Sequence, residues 1–238
     1  RYLWIPDRVR DGSNCNFAAP FAPSTAMSKL EVTSLAMRFG PRWLFRDLSF
    51  DLGPGERMAV TGSNGSGKST LIRILAGVLT PTRGKVAFWS NGSEVHKDDR
   101  ARRVALVAPY LQLYDGLTLE ENLRFVTRVR GNRSNAPIQE LMERVTLADR
   151  AGDLVGTFSS GMKQRARFAV ALAAESELLL LDEPSSNLDA AGVELAKQII
   201  DSEVGAGRSV VLATNSQEER EWCERSLAIG DFLRPRDH

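Results

Sequence analysis

The chain has 238 residues, 42% of them hydrophobic, and its 31 lysines and arginines stand against 30 aspartates and glutamates. That length and apolar content suit one large domain with a buried core, and the near-zero charge balance excludes the broad basic footprint of a nucleic-acid binder. Cys15 and Cys223 lie far apart with no partner at metal-ligand spacing, which excludes a disulfide framework and a zinc site.

Residues 1 to 26 lack hydrophobic periodicity and mix Pro, Asn, Ser and Gly, so they read as a disordered leader, with Met27 as the expected start and one domain from there to residue 238. Leu30, Val32 and Leu35 predict a first strand; Leu48, Phe50 and Leu52, alternating with Ser49 and Asp51, predict a second, antiparallel to it. After the turn at Gly53 to Gly55, Arg57 to Thr61 is a short apolar strand that runs through a glycine-rich loop into a helix over 70–76, with Leu71, Ile74 and Leu75 on one face.

Further along, 85–88 and 103–107 are strand candidates separated by a polar loop over 90–102. Thr118 and Glu121 form a capping box that opens a helix reaching about Val129, and helices follow over 138–145 and 160–174. Residues 178–181 and 209–213 read as strands, 190–202 as a helix between them, then comes a short helix after Ser216 and a last strand over 227–229. Strands alternating with helices imply a largely parallel sheet covered on both faces. No stretch reaches the roughly 20 consecutive apolar residues of a membrane-spanning helix.

Gly62, Ser63, Asn64, Gly65, Ser66, Gly67, Lys68, Ser69 and Thr70 fit the phosphate-loop pattern G-x-x-x-x-G-K-[ST] in the required strand-to-helix setting. The glycines let successive N–H groups turn around a phosphate, the helix start adds positive potential, Lys68 reaches the β and γ oxygens, and Ser69 can ligate Mg²⁺. Asp182, at the tip of the apolar strand, is a second magnesium candidate, and Glu183 beside it can polarise an attacking water.

The segment Phe158, Ser159, Ser160, Gly161, Met162, followed by Lys163, Gln164 and Arg165, resembles the LSGGQ signature of ABC ATPases and precedes Asp182 where that family places it. Read singly, Ser159 and Ser160 are helix caps. The resemblance runs from Lys29 to the end of the chain. It implies an α/β phosphate-loop NTPase with a mostly parallel core sheet, an N-terminal antiparallel β subdomain and a helical signature subdomain inserted over about 110–170. It also implies that Phe39 stacks on adenine, although a lone aromatic there reads more readily as core. Pro184 follows the catalytic glutamate, and Ser186, Asn187, Leu188 and Asp189 match the loop that crosses the dimer interface.

Two switch positions depart from the family. Pro109 or Tyr110 falls where a magnesium-sensing glutamine belongs, so either Gln112 swings in or magnesium is held by Ser69 and Asp182 with water. Asn215 replaces the usual histidine; it either donates a hydrogen bond to the γ-phosphate or caps the helix after Ser216.

The resemblance implies ATP and Mg²⁺ as cofactors, two ATPase domains closing head to tail as a homodimer or a heterodimer, and ATP on one loop capped by Ser159, Ser160 and Gly161 of the other domain. It further implies a separate transmembrane permease held near 110–116, export powered by hydrolysis, and a peripheral place on the cytoplasmic face of the inner membrane. No nucleic-acid partner is expected. The compact length and short end after Asn215 look like the haem-exporter type of cytochrome c biogenesis. Rival readings are an ABC-type ATPase without a membrane partner, acting on ribosomes or DNA, and a phosphate-loop kinase or GTPase. The former usually carries two ATPase domains or long coiled insertions, and the latter leaves the signature unexplained.

Overall fold

The computed structural model describes residues 28–130 and 137–233; the expected leader and the loop glycine Gly131 lie outside them. In chain order the elements are β1 (Ser28–Phe39), β2 (Arg42–Leu52), β3 (Arg57–Thr61), α1 (Lys68–Leu75), β4 (Arg83–Ser90), β5 (Ser93–Glu94), α2 (Lys97–Arg100) and β6 (Val104–Val107). They continue with α3 (Leu119–Val129), α4 (Ile138–Arg144), α5 (Ser160–Ala173), β7 (Leu178–Asp182), α6 (Ala190–Gly205), β8 (Ser209–Thr214), α7 (Gln217–Glu221) and β9 (Arg225–Ala228). Two sheets result: an antiparallel one in the order β2-β1-β4-β5 and a parallel one in the order β6-β7-β8-β3-β9.

The run Leu178 to Leu181 shows why the parallel sheet needs cover on both faces. All four leucines are buried, and their alternation divides them between two cores. Leu178 and Leu180 join α1 and the antiparallel sheet, around Phe45, Phe88 and Ile72. Leu179 and Leu181 join α5 and α6, around Phe168 and Ile199, and that core extends to Leu119 and Leu123 of α3 and Leu141 of α4. On β8, Val211 and Ala213 face the first core while Val210 and Leu212 face the second.

The polar stretch expected as a loop over 90–102 contains β5 and α2 instead. Asn91 and Gly92, at φ 52° and 79°, turn β4 back on β5 so that Ser90 pairs with Ser93; an Asn-Gly pair favours this two-residue hairpin because both residues accept positive φ. The capping box on α3 forms as expected: Glu121 N–H donates to Thr118 Oγ1 at 3.1 Å and Thr118 N–H to Glu121 Oε2 at 2.8 Å. On the same helix the buried Asn122 exchanges hydrogen bonds with both backbone groups of Tyr114, its Oδ1 accepting at 2.9 Å and its Nδ2 donating at 3.1 Å. One side chain thereby fixes the segment that leads into α3. Among the described residues, no helix is long and apolar enough to cross a membrane.

Candidate functional site

β3 is an interior strand paired with β8 and β9, and it delivers Gly62 at its end and the loop into α1. Gly67 caps α1 with φ 110°, and a Cβ there would lie 3.3 Å from that of Leu44 on β2. Glycine is required by conformation and by this close approach of the antiparallel sheet. Lys68 is 5% exposed, and its Nζ donates to the carbonyls of Gly62 at 2.8 Å and Ser63 at 3.1 Å, which holds the ammonium over the loop.

Asp182 ends β7 with its carboxylate 2% exposed, and its Oδ1 is buried without a hydrogen-bond partner. Burial pushes the carboxyl above the usual aspartate range, and the Ser69 hydroxyl, Lys68 ammonium, Arg73 guanidinium and Tyr110 hydroxyl oppose that shift. A buried carboxylate oxygen with no donor, next to a serine hydroxyl, is the donor chemistry of a magnesium site completed by phosphate oxygens and water. Among the described residues no cluster of three or more His, Cys, Asp and Glu side chains gathers.

Glu183 adopts φ 48°, its N–H donating to Ala213 at 2.9 Å and its carbonyl accepting from Ser186 at 3.0 Å. A left-handed glutamate costs on the order of 1 kcal/mol and is the kind of strain that gathers at working sites. Its side chain faces Asn64, Gly65, Gly67, Lys68, Ser69 and Thr70 across a cleft of about 280 Å³. The glycine-rich loop with Lys68 and Ser69 thus converges with Asp182 and Glu183 at the ends of β3 and β7.

The two departures resolve differently. Asn215 does not cap α7; Ser216 does, its Oγ accepting from Glu219 N–H, while Asn215 Nδ2 donates to Asn64 Oδ1 at 2.9 Å. Gln112 is exposed and is not among the groups acting on Asp182, whereas Tyr110 is, with its ring stacked on Arg73 at 4.2 Å. Tyr110 therefore stands beside Asp182 where Gln112 does not, on an arginine of α1 that sequence reading did not single out.

Phe39, Ser159, Ser160 and Gly161, all expected contributors, lie off the cleft walls. Phe39, at the end of β1, is 54% exposed and so is not core. Ser159 caps α5, its Oγ accepting from Met162 N–H at 3.2 Å, and Ser160 and Gly161 open that helix. A Cβ on Gly161 would meet the carbonyl of Asn187 at 2.9 Å, so the signature and the 186–189 loop are pressed together. A buried polar chain ties them to the rest: Gln164 Nε2 donates to Pro184 O at 2.9 Å, Arg167 to Gln164 Oε1 at 3.0 Å, and Arg167 Nε to Leu111 O at 2.8 Å.

The family model for the ABC transporter matches residues 45–186, a span that includes the loop, the signature segment and Asp182. The chain belongs to the ABC transporter family. The bacitracin transport ATP-binding protein BcrA of Bacillus licheniformis is 34% identical over 173 residues, 73% of this chain and 56% of that protein. The taurine import ATP-binding protein TauB of a Jannaschia species is 33% identical over 216 residues, 87% of this chain and 77% of that one. Among solved structures, the ATP-binding subunit of an ABC transporter superposes with a TM-score of 0.75 at 28% identity, covering 84% of this chain and 85% of that one. The ABC family thus accounts for the two-sheet architecture.

Proposed function

We propose that this chain binds ATP with magnesium on the Gly62–Thr70 loop and hydrolyses it with Glu183 as the base that polarises the attacking water. One observation carries this reading: Lys68, Ser69 and Glu183 line a single cleft, and the Asp182 carboxylate, whose Oδ1 is unpartnered, adjoins Ser69. Lys68 would bridge β and γ oxygens, and the loop N–H groups would hold the β-phosphate. Ser69 and Asp182 would hold magnesium, which neutralises charge on the phosphates when bound. Asn215, placed by its bond to Asn64, would donate to the γ-phosphate, and Phe39 would stack on the base.

Ser159, Ser160 and Gly161 stand outside the cleft wall, so their capping of ATP requires a second ATPase domain, identical or similar, facing this one. The inserted helical subdomain over about 110–170 would present them. Membrane coupling is supported by an apolar groove of about 330 Å³ between α1 and α3, lined by Val78, Leu111, Phe125 and Val129. Val78 is 74% and Val129 70% exposed there, as suits a separate permease subunit. The chain would then sit peripherally on the cytoplasmic face of the cell membrane. The relatives are named for bacitracin transport and for taurine import, so they lend no particular support to haem; the membrane subunit would select the substrate and export is the direction we favour.

The test is magnesium-dependent phosphate release by the purified chain, alone and with Lys68→Ala. Turnover abolished by that substitution is expected; turnover that survives it would place hydrolysis elsewhere.

A further inference from the structure

A large cavity among the described residues lies away from the nucleotide cleft and shares no lining residue with it. It measures about 860 Å³ and is walled by the end of α1, the turn into β4, β4 itself and the segment from Glu94 to Arg100. Four permanent cations line it, Arg83, Lys85, Lys97 and Arg100, against one carboxylate, Glu94. That carboxylate is engaged: Lys85 Nζ lies 2.7 Å from Glu94 Oε1 and donates to Oε2 at 2.9 Å. Arg83 leans toward the Trp43 ring at 6.0 Å, and Lys97 makes no hydrogen bond or ion pair with the described residues.

Arg100 is the unusual member. It is only 8% exposed, one Nη donates to the carbonyl of Val86 at 2.7 Å, and its Nε is buried with no partner. Among the described residues no carboxylate pairs with it. Removing a guanidinium from water without a counter-charge is strongly unfavourable, and burial pushes its pKa below the usual arginine range with only the field of Glu94 in opposition. Arginine is also the side chain whose planar fork best matches a phosphate group, and Lys97 on the outer wall adds a mobile point charge. Thr80 supplies a hydroxyl and Ile74 and Leu79 an apolar floor, so the volume suits an organic phosphate.

We propose that this cavity is a second anion site, which takes a phosphate group through Arg100 and Lys97. The group belongs either to a small soluble phosphate ester or to the headgroup of an anionic lipid; the recognition chemistry is the same.

The test separates these sources and keeps the nucleotide loop out of the reading by using the full chain with Lys68→Ala. Inorganic phosphate is titrated calorimetrically into that chain and into the same chain carrying Lys97→Gln or Arg100→Met, and each is sedimented with phosphatidylcholine vesicles with or without phosphatidylglycerol. Binding weakened at least about tenfold by either substitution is expected, the loss of one charge-assisted contact being of that order. Loss confined to soluble phosphate identifies the ester, and loss confined to phosphatidylglycerol vesicles identifies the lipid. Lys97 is exposed and its replacement leaves the fold intact, so it decides the matter even where Arg100→Met fails to fold. Phosphate and vesicle binding that Lys97→Gln leaves unchanged overturns the proposal, whatever becomes of ATP hydrolysis at the other site.

Discussion

The amide of Asn215 donates from Nδ2 to Oδ1 of Asn64 at 2.9 Å, linking the end of β8 to the phosphate loop. The bond turns the Asn215 side chain toward the cleft instead of toward α7. Asn215→Ala is expected to lower turnover roughly fivefold, the worth of one hydrogen bond of about 1 kcal/mol, with ATP affinity nearly unchanged. Because an amide does not titrate near neutrality, the rate should show no step in the histidine range, and Asn215→His should introduce one. Steady-state rates between pH 5.5 and 8.5, about the span in which imidazole changes charge, settle both points; a step already present in the unaltered chain would argue against this role.

Glu183→Gln keeps the size and the left-handed backbone but removes the base. Turnover should fall by about 10² to 10⁴ while ATP binding persists, and ATP should convert the variant from monomer to dimer in light scattering. A variant that hydrolyses at the original rate, or stays monomeric with ATP, would count against the two-domain scheme.

Stability rests partly on a buried ionic trio. Glu203 of α6, 2% exposed, receives Arg144 of α4 at 2.9 Å and also pairs with Arg208. Glu203→Ala leaves two guanidinium groups buried without their carboxylate, so unfolding free energy should drop by about 3 to 5 kcal/mol. Urea denaturation followed by circular dichroism measures it, and a loss under about 1 kcal/mol would show the site to be open to water.

The Cys223 thiol is pushed up by burial from 9.0 to about 12. Its folded pKa exceeds the unfolded one, so the stability it contributes is complete below pH 9.0 and is lost as the pH rises toward about 12. At neutral pH the native thiol is scarcely ionised, and iodoacetamide should leave it unmodified until the chain is unfolded, as peptide mass spectrometry would reveal. Rapid native labelling would refute the burial.

Much of this was readable in advance, because glycine spacing and strand alternation are local. The Gly62 to Thr70 loop, Asp182, Glu183 and the Thr118 capping box each lie within a few residues of their own signal, and all appear on the expected elements. Tyr110 and Arg73 meet only because β6 and α1 flank the same end of the sheet, 37 residues apart in number, and no local pattern announces such a pairing. The role of Asn215 was left open for the same reason: its partner Asn64 is 151 residues away. The chain from Leu111 through Arg167 and Gln164 to Pro184 likewise joins three segments that only the fold brings together. The hairpin at Asn91 and Gly92 was a plain local signal that the surrounding charge obscured.

The division of β7 between two cores has a consequence for how this gene can change. Composition is forgiving along 178–181, where one branched aliphatic can stand in for another at modest cost. Length is not. A deletion of one codon there inverts the facing of every residue on one side of the gap; where the part after it shifts, the leucines that follow pass to the opposite core and Asp182 turns from the α1 side to the α5 side. Descendants of this chain can therefore drift in the letters of that strand while its count of residues stays frozen.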